Sequence, residues 1–117
     1  MSKLTVAQVL EQVDTLLPNT CSREQKKHWL HQAESFLVSL EGSQAPRRPM
    51  DDGETLSVGA PYDELYRHYV EAQIHYAAGE TERCSNAMAM WNSLLLLYRD
   101  HCLRHQMMGG AAALKLC

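Results

Sequence analysis

The sequence predicts a small all-α protein, and three observations point to this class. Apolar residues recur at helical spacing in four segments of the chain. The first two segments open with Thr or Ser followed three residues later by Gln, the pattern of a capping box. Outside an irregular stretch at about 43–60, no segment shows the alternation of a strand. We expect one helical domain over residues 1–108 with a long C-terminal helical hairpin, an irregular loop at about 43–60, and a flexible C-terminal tail over 109–117.

The composition is that of an ordinary globular domain. Of 117 residues, 45% are hydrophobic and 21% are charged, which is sufficient for one core. The formal net charge of −3 gives no bulk attraction to phosphates, so nucleic acid is not the expected partner. The chain has no basic start followed by an apolar run, and no stretch near the ~18 apolar residues that span a membrane. We therefore expect no membrane contact, and a reducing cytoplasm in which the cysteines stay free thiols.

The first two helices are predicted from their caps and apolar stripes. Helix one is expected from about Val6 to Leu17, where Pro18 ends it. Helix two opens after Ser22 and ends at Gly42, a natural C-terminal cap. Its apolar side holds Trp29, Leu30, Ala33, Phe36, Leu37 and Leu40. Its polar side is predicted to expose Glu24, Glu34 and Glu41 beside Lys26 and Lys27.

The third helix is expected to start at Pro61 or just after it and to run to Ala78, because proline fits a first helical position. In the loop before it, Leu56 and Val58 favour a short extended piece. The predicted apolar side of helix three holds Tyr62, Leu65, Tyr66, Tyr69, Ala72 and Tyr76. The predicted polar side holds Glu64, Arg67, His68, Glu71 and His75.

The fourth helix, from about Thr81 to His105, is predicted to form an antiparallel hairpin with the third, since only Gly79 and Glu80 link them. One apolar stripe is expected to pack on helix three and holds Cys84, Ala87, Met88, Trp91, Leu94, Leu95, Tyr98 and Cys102. Met90 and Leu97 lie on a second side, and Leu96 and Leu103 on a third. We expect the surplus apolar sides to bury against another copy or another protein. The alternative is that helices one and two wrap helix four completely.

The sequence contains no motif for catalysis or for a cofactor. A phosphate-binding glycine loop, a nucleophile elbow and a metalloprotease histidine pair are all absent. His101 and His105 have the spacing of two metal ligands on one helix face, but structural zinc needs four ligands and no others are evident. We therefore predict no catalytic residue, no cofactor and no metal, and we interpret the histidines as surface residues.

The helical hairpin resembles a family of small prophage proteins described as head–tail connectors or neck adaptors. The similar segments run from Ala60 to Tyr76, from Gly79 to Asn86 and from Met90 to Asn92. Earlier matches are Leu17-Pro18-Asn19, Ser22 to Gln25, and Trp29-Leu30, so the resemblance covers roughly residues 5–105. The chain departs from the family pattern at Cys84-Ser85-Asn86, where Tyr-Asn is usual, and at His75, where Asp is usual.

The resemblance implies a structural protein that forms a ring beneath the phage portal, with DNA only as passing cargo. The expected partners are the portal, other neck or tail-completion proteins, and further copies of the chain. The expected location is the virion neck, and the bacterial cytoplasm during assembly. Because a ring closed by head-to-tail contacts needs two different patches on each subunit, we assign candidate interface residues on helix four, the loop and the tail. They are Met90, Leu96, Leu97, Leu103, Arg47, Arg48, Leu114 and Leu116.

Three alternatives remain open at this point. Helices one and two are joined by a short turn and would suit the helix-turn-helix of a small terminase-type DNA-packaging factor. His101, Cys102 and His105 would suit a metal-binding helical bundle. The third alternative is a generic helical protein-interaction module.

Overall fold

A computed structural model of the chain describes residues 3–42 and 50–108. Its four helices confirm the all-α class, and two short strands accompany them. The helices are α1 (Val6–Leu16), α2 (Arg23–Leu40), α3 (Glu64–Ala77) and α4 (Thr81–Met108), and the strands are β1 (Lys3–Thr5) and β2 (Thr55–Gly59). The candidate residues Arg47, Arg48, Leu114 and Leu116, like the tail at 109–117, lie outside the described residues.

The two strands form a small antiparallel sheet that the sequence only half predicts. Lys3 lies opposite Gly59 and Thr5 opposite Thr55, with an irregular register between them. The short extended piece expected at Leu56 and Val58 is present as β2, where both side chains are buried. The predicted irregular loop therefore ends in a strand, and β1 was not predicted.

Strand β1 leads directly into α1 through a complete capping box. The Gln8 N–H donates to the Thr5 hydroxyl at 3.3 Å, and the Thr5 N–H donates to the Gln8 side-chain oxygen at 2.9 Å. The N–H groups of Val6 and Ala7 donate to carbonyls of residues 54 and 52, each at 2.9 Å. The segment before β2 thus satisfies helix donors that would otherwise lack partners.

The core lies among α1, α2, α3 and β2. Its fully buried side chains include Val6, Val9, Leu10, Val13, Leu30, Leu37, Leu56, Leu65, Tyr66 and Val70. Two aromatic residues assigned to apolar sides lie at the margin instead, because Phe36 is 48% exposed and Tyr76 is 74% exposed. His68, assigned to the polar side of α3, is buried. That assignment was wrong because α3 contacts other elements on several sides.

Helices α3 and α4 form the predicted antiparallel hairpin. Gly79 has a φ of +77°, a left-handed conformation that glycine adopts without a Cβ clash, and the Glu80 N–H donates to the His75 carbonyl at 2.9 Å. Along the hairpin, the ring centroids of Tyr69 and Trp91 are 5.1 Å apart. Nearer the other end, Tyr62 lies 5.3 Å from Tyr98. This alignment places the start of α3 beside the C-terminal half of α4.

Candidate interaction surface

Helix α4 buries one narrow side and exposes apolar side chains on two others. Within residues 81–105 of this helix, the buried residues are Trp91, Tyr98 and Cys102. The exposed fractions are 55% for Met90, 54% for Leu96, 58% for Leu97 and 50% for Leu103. Helices α1 and α2 therefore do not wrap α4 completely, and four large apolar side chains face solvent.

These four residues form two separate pairs. At about 100° per residue, Met90 and Leu97 lie on one side of the Trp91 direction, and Leu96 and Leu103 lie on the other. We call these pairs the Met90–Leu97 flank and the Leu96–Leu103 flank. Exposed Ser93 lies on the outer face between them. The two flanks can therefore contact two different neighbours.

The position of α4 follows from a few anchoring contacts. The Trp91 ring lies against Tyr69 and against Phe36 of α2, with a centroid distance of 6.0 Å to Phe36. The Tyr98 hydroxyl donates a short hydrogen bond to the carboxylate of Glu41, which follows α2. Burial, followed by the hydrogen bond to Glu41, raises the pKa of Tyr98, so its hydroxyl stays protonated as the donor. These contacts fix which side of α4 is covered.

A buried carboxylate fixes α3, and thereby α4, to the rest of the fold. Glu34, which the sequence predicted to be exposed, is only 6% exposed, so that prediction was wrong. Its two oxygens accept the Tyr66 hydroxyl at 2.6 Å, the Ser57 hydroxyl at 2.8 Å and the Ser57 N–H at 3.1 Å. All donors converge on one acceptor group, as a buried charge requires. The cluster joins α2, β2 and α3.

Basic side chains at the start of α2 are engaged in ion pairs within the fold. Lys26 was predicted to be exposed, but its side chain is only 8% exposed and its Nζ lies 2.6 Å from Asp14, so that prediction was wrong. Asp52 pairs with Lys27 at 2.6 Å and with Arg23 at 3.0 Å. A recognition helix needs cationic side chains available for phosphates and bases. This arrangement disfavours the helix-turn-helix hypothesis.

The histidines of α4 belong to an aromatic cluster. The ring centroids of His101 and His105 are 4.2 Å apart, and His101 lies 5.1 Å from Tyr62. Within residues 3–42 and 50–108, no group of three or more His, Cys, Asp or Glu side chains is arranged to hold a metal ion. Cys102 is buried beside Tyr98, so the proposed trio of His101, Cys102 and His105 does not converge there.

None of the helices in the described residues is both long enough and apolar enough to cross a membrane. Comparisons with protein-family models, curated proteins and solved structures found no match to this chain.

Proposed function

We propose that this chain is a structural virion-assembly protein, a head–tail connector that docks on the portal as a ring through which DNA passes. The observation that carries the proposal is the pair of separate apolar flanks on α4, at Met90–Leu97 and Leu96–Leu103. The sequence resemblance of the α3–α4 hairpin to neck adaptors supplies the specific role. Both flanks lie on α4, the second helix of that hairpin.

Two distinct flanks suit assembly by head-to-tail contacts. A ring of this kind needs a different patch on each side of the subunit, whereas a twofold dimer uses one patch twice. Each flank presents only two large side chains, far less than the ~800 Å² per partner of a standard interface. We therefore expect the isolated chain to associate weakly and the ring to be completed on the portal.

The charge distribution supports DNA as cargo and not as a ligand. The chain carries a net charge of −3, and Arg23, Lys26 and Lys27 are paired with carboxylates. An acidic subunit whose cations are paired in this way has little capacity to hold phosphates by releasing their counterions. The proposal includes no catalytic step and no cofactor, and it places the protein in the virion neck after assembly in the bacterial cytoplasm.

The test is reconstitution with the purified portal ring of the same phage or prophage. Complex mass is measured by light scattering after size exclusion, for the original chain and for two double variants. These are Met90→Asp with Leu97→Asp, and Leu96→Asp with Leu103→Asp. Ser93→Asp, on the outer face between the flanks, adds a charge without removing an apolar side chain and serves as the control.

We expect the original chain and the control to co-elute with the portal in many copies, and each double variant to lose most of the bound copies. Circular dichroism and urea midpoints establish that the variants fold. Absence of any complex at micromolar concentration would refute the connector role. A low-salt gel shift with DNA in the same experiment would favour the packaging-factor hypothesis instead.

A further inference from the structure

A second surface feature lies away from both α4 flanks, between α1 and the start of α3. It is a shallow, open groove of about 790 Å³. One wall is the outward face of α1, and the other comes from β1 and the Ala60–Arg67 segment. Leu16, on the α1 wall, is 62% exposed. Burying this side chain against an apolar group of another molecule would be favourable.

The groove has an acidic rim. Among the described residues, Glu11, Asp63 and Glu64 line it together with one cation, Arg67. That cation is already neutralised, because Arg67 lies 2.9 Å from Glu64 and 3.3 Å from Glu71. Burial raises the pKa of Asp63, and within residues 3–42 and 50–108 neither Glu11 nor Asp63 forms a salt bridge. The groove thus has carboxylate charge available to pair with a cation from elsewhere.

The groove also offers hydrogen-bonding side chains to an extended backbone. Gln8, Gln12 and Thr15 occupy the same face of α1 as Leu16 and line the groove. Their amide and hydroxyl groups can donate to and accept from a peptide chain. Apolar walls are supplied by Leu4 and Pro61. A matching occupant is therefore a short extended segment with apolar side chains flanking one positive charge.

We propose that this groove binds residues 109–117 of a second copy of the chain. That segment reads Gly-Gly-Ala-Ala-Ala-Leu-Lys-Leu-Cys, so its one charged side chain, Lys115, lies between Leu114 and Leu116. Lys115 pairs with the acidic rim, and the leucines pack against the apolar walls and Leu16. The proposal is independent of the connector role, since tail exchange between copies requires no portal.

The course of α4 leaves residues 109–117 within reach of a second copy of the chain. Tyr62, next to Pro61 of the groove, contacts His101, and α4 continues for seven more residues to Met108. At 1.5 Å per residue this adds about 10 Å beyond the contact. Helix α4 therefore ends, at Met108, beyond the start of α3. The nine following residues can span about 30 Å when extended, sufficient to cross to a neighbour.

The test supplies the groove and the tail as two separate molecules. A fluorescent peptide of residues 109–117, with Cys117→Ser to prevent oxidation, is titrated into chain lacking those residues. Anisotropy is compared for the truncated chain, for its Leu16→Asp form and for its Tyr76→Asp form. Tyr76 is 74% exposed and does not line the groove, so Tyr76→Asp is the matched control.

We expect saturable binding to the truncated chain and to the Tyr76→Asp control, and no binding to the Leu16→Asp form. A Lys115→Glu peptide is expected to bind at least about tenfold more weakly, and added salt should weaken the original peptide. The truncated chain that carries both Met90→Asp and Leu97→Asp should bind the peptide unchanged. That result would show that the peptide binds the groove and not this flank of α4. Failure of the peptide to bind the truncated chain overturns the proposal.

Sedimentation velocity tests whether the tail binds the groove of its own chain or the groove of a second copy. The full chain is expected to associate with rising concentration, while the truncated chain and the full-length Leu16→Asp chain each show weaker association. Mixing those two should give a one-to-one complex, because one supplies only the groove and the other only the tail. If the full chain stays monomeric while the truncated chain binds the peptide, the tail occupies its own groove and the second-copy proposal is wrong.

Discussion

The hydroxyl of Tyr66 donates a 2.6 Å hydrogen bond to the carboxylate of Glu34, joining α3 to α2 inside the core. The same phenol oxygen accepts the Val58 N–H at 3.0 Å, so β2 is held in the same cluster. Burial, followed by the nearby Glu34 charge, raises the pKa of Tyr66, which keeps the phenol protonated as a donor. A single phenol thus satisfies a buried charge and a buried backbone donor.

Removing that hydroxyl should destabilise the fold more than removing a peripheral one. We expect Tyr66→Phe to lower the free energy of unfolding by about 1.5–3 kcal/mol, since a hydrogen bond to a charged group is lost in the interior. The control is Tyr69→Phe, whose hydroxyl donates to the neutral Gln32 side chain at 3.2 Å in an exposed setting. Urea unfolding of both variants measures the difference. Equal losses would show that the Glu34 cluster adds no special stability.

The helices were predictable from local signals. The side-chain contacts that join one element to another were not. Thr5 with Gln8, and Gly79 between α3 and α4, mark helix ends by their own chemistry, and the structure places these boundaries as expected. Glu34 carries no such signal. It follows Ala33 on the core side of α2, but its burial depends on Ser57 and Tyr66, which lie far away in sequence.

Strand β1 also has no local signal in the sequence that would predict it. Three residues are too few to establish an alternating pattern, and β1 is stabilised by pairing with β2, which lies fifty or more residues later in the chain. For the candidate surface, the helical period of α4 indicated which residues share a side. The exposure of those residues depends on how many sides of α4 the other helices cover, and the helical period does not indicate that number. Met90, Leu96, Leu97 and Leu103 are exposed, while their role as an interface remains a prediction.

Helix α4 should depend on few side chains for its attachment. Trp91 is 5% exposed and lies between Phe36 and Tyr69, so Trp91→Ala is expected to cost about 3–5 kcal/mol. Leu97→Ala, on the same helix but 58% exposed, should change stability by less than about 0.5 kcal/mol. Chemical denaturation measures both. A large loss in Leu97→Ala would mean that this flank is already buried in a self-associated state.

The Asp14–Lys26 pair should give stability that is lost in acid. Partial burial raises the pKa of Asp14, but the hydrogen bonds from Lys26 and Asn19 outweigh it and leave the pKa below its usual range. A carboxyl with a depressed pKa stabilises the folded state above the unfolded pKa of about 3.9. That contribution disappears as the pH falls through the lower pKa of the folded state.

Asp14→Asn tests this contribution. At neutral pH we expect a loss of about 1–2 kcal/mol, less than for a fully buried pair because the Asp14 side chain is 44% exposed and water screens it. The difference from the original chain should shrink as the pH falls below about 4. Urea unfolding across that range provides the measurement. A difference that stays constant with pH would assign the effect to the Asn19 hydrogen bond geometry and not to charge.

Alkylation of Cys102 should report the detachment of α4 from α3. Burial raises the pKa of this thiol, and the hydrogen bond with Tyr98 offsets that effect only in part. Because the thiolate is the reactive form, Cys102 should react with iodoacetamide more slowly than half-buried Cys21 and Cys84, as followed by peptide mass mapping. Trp91→Ala should accelerate modification of Cys102 specifically, since loss of that anchor lowers the cost of local opening. Acceleration at all three cysteines alike would indicate that the whole domain opens together and that α4 does not detach separately.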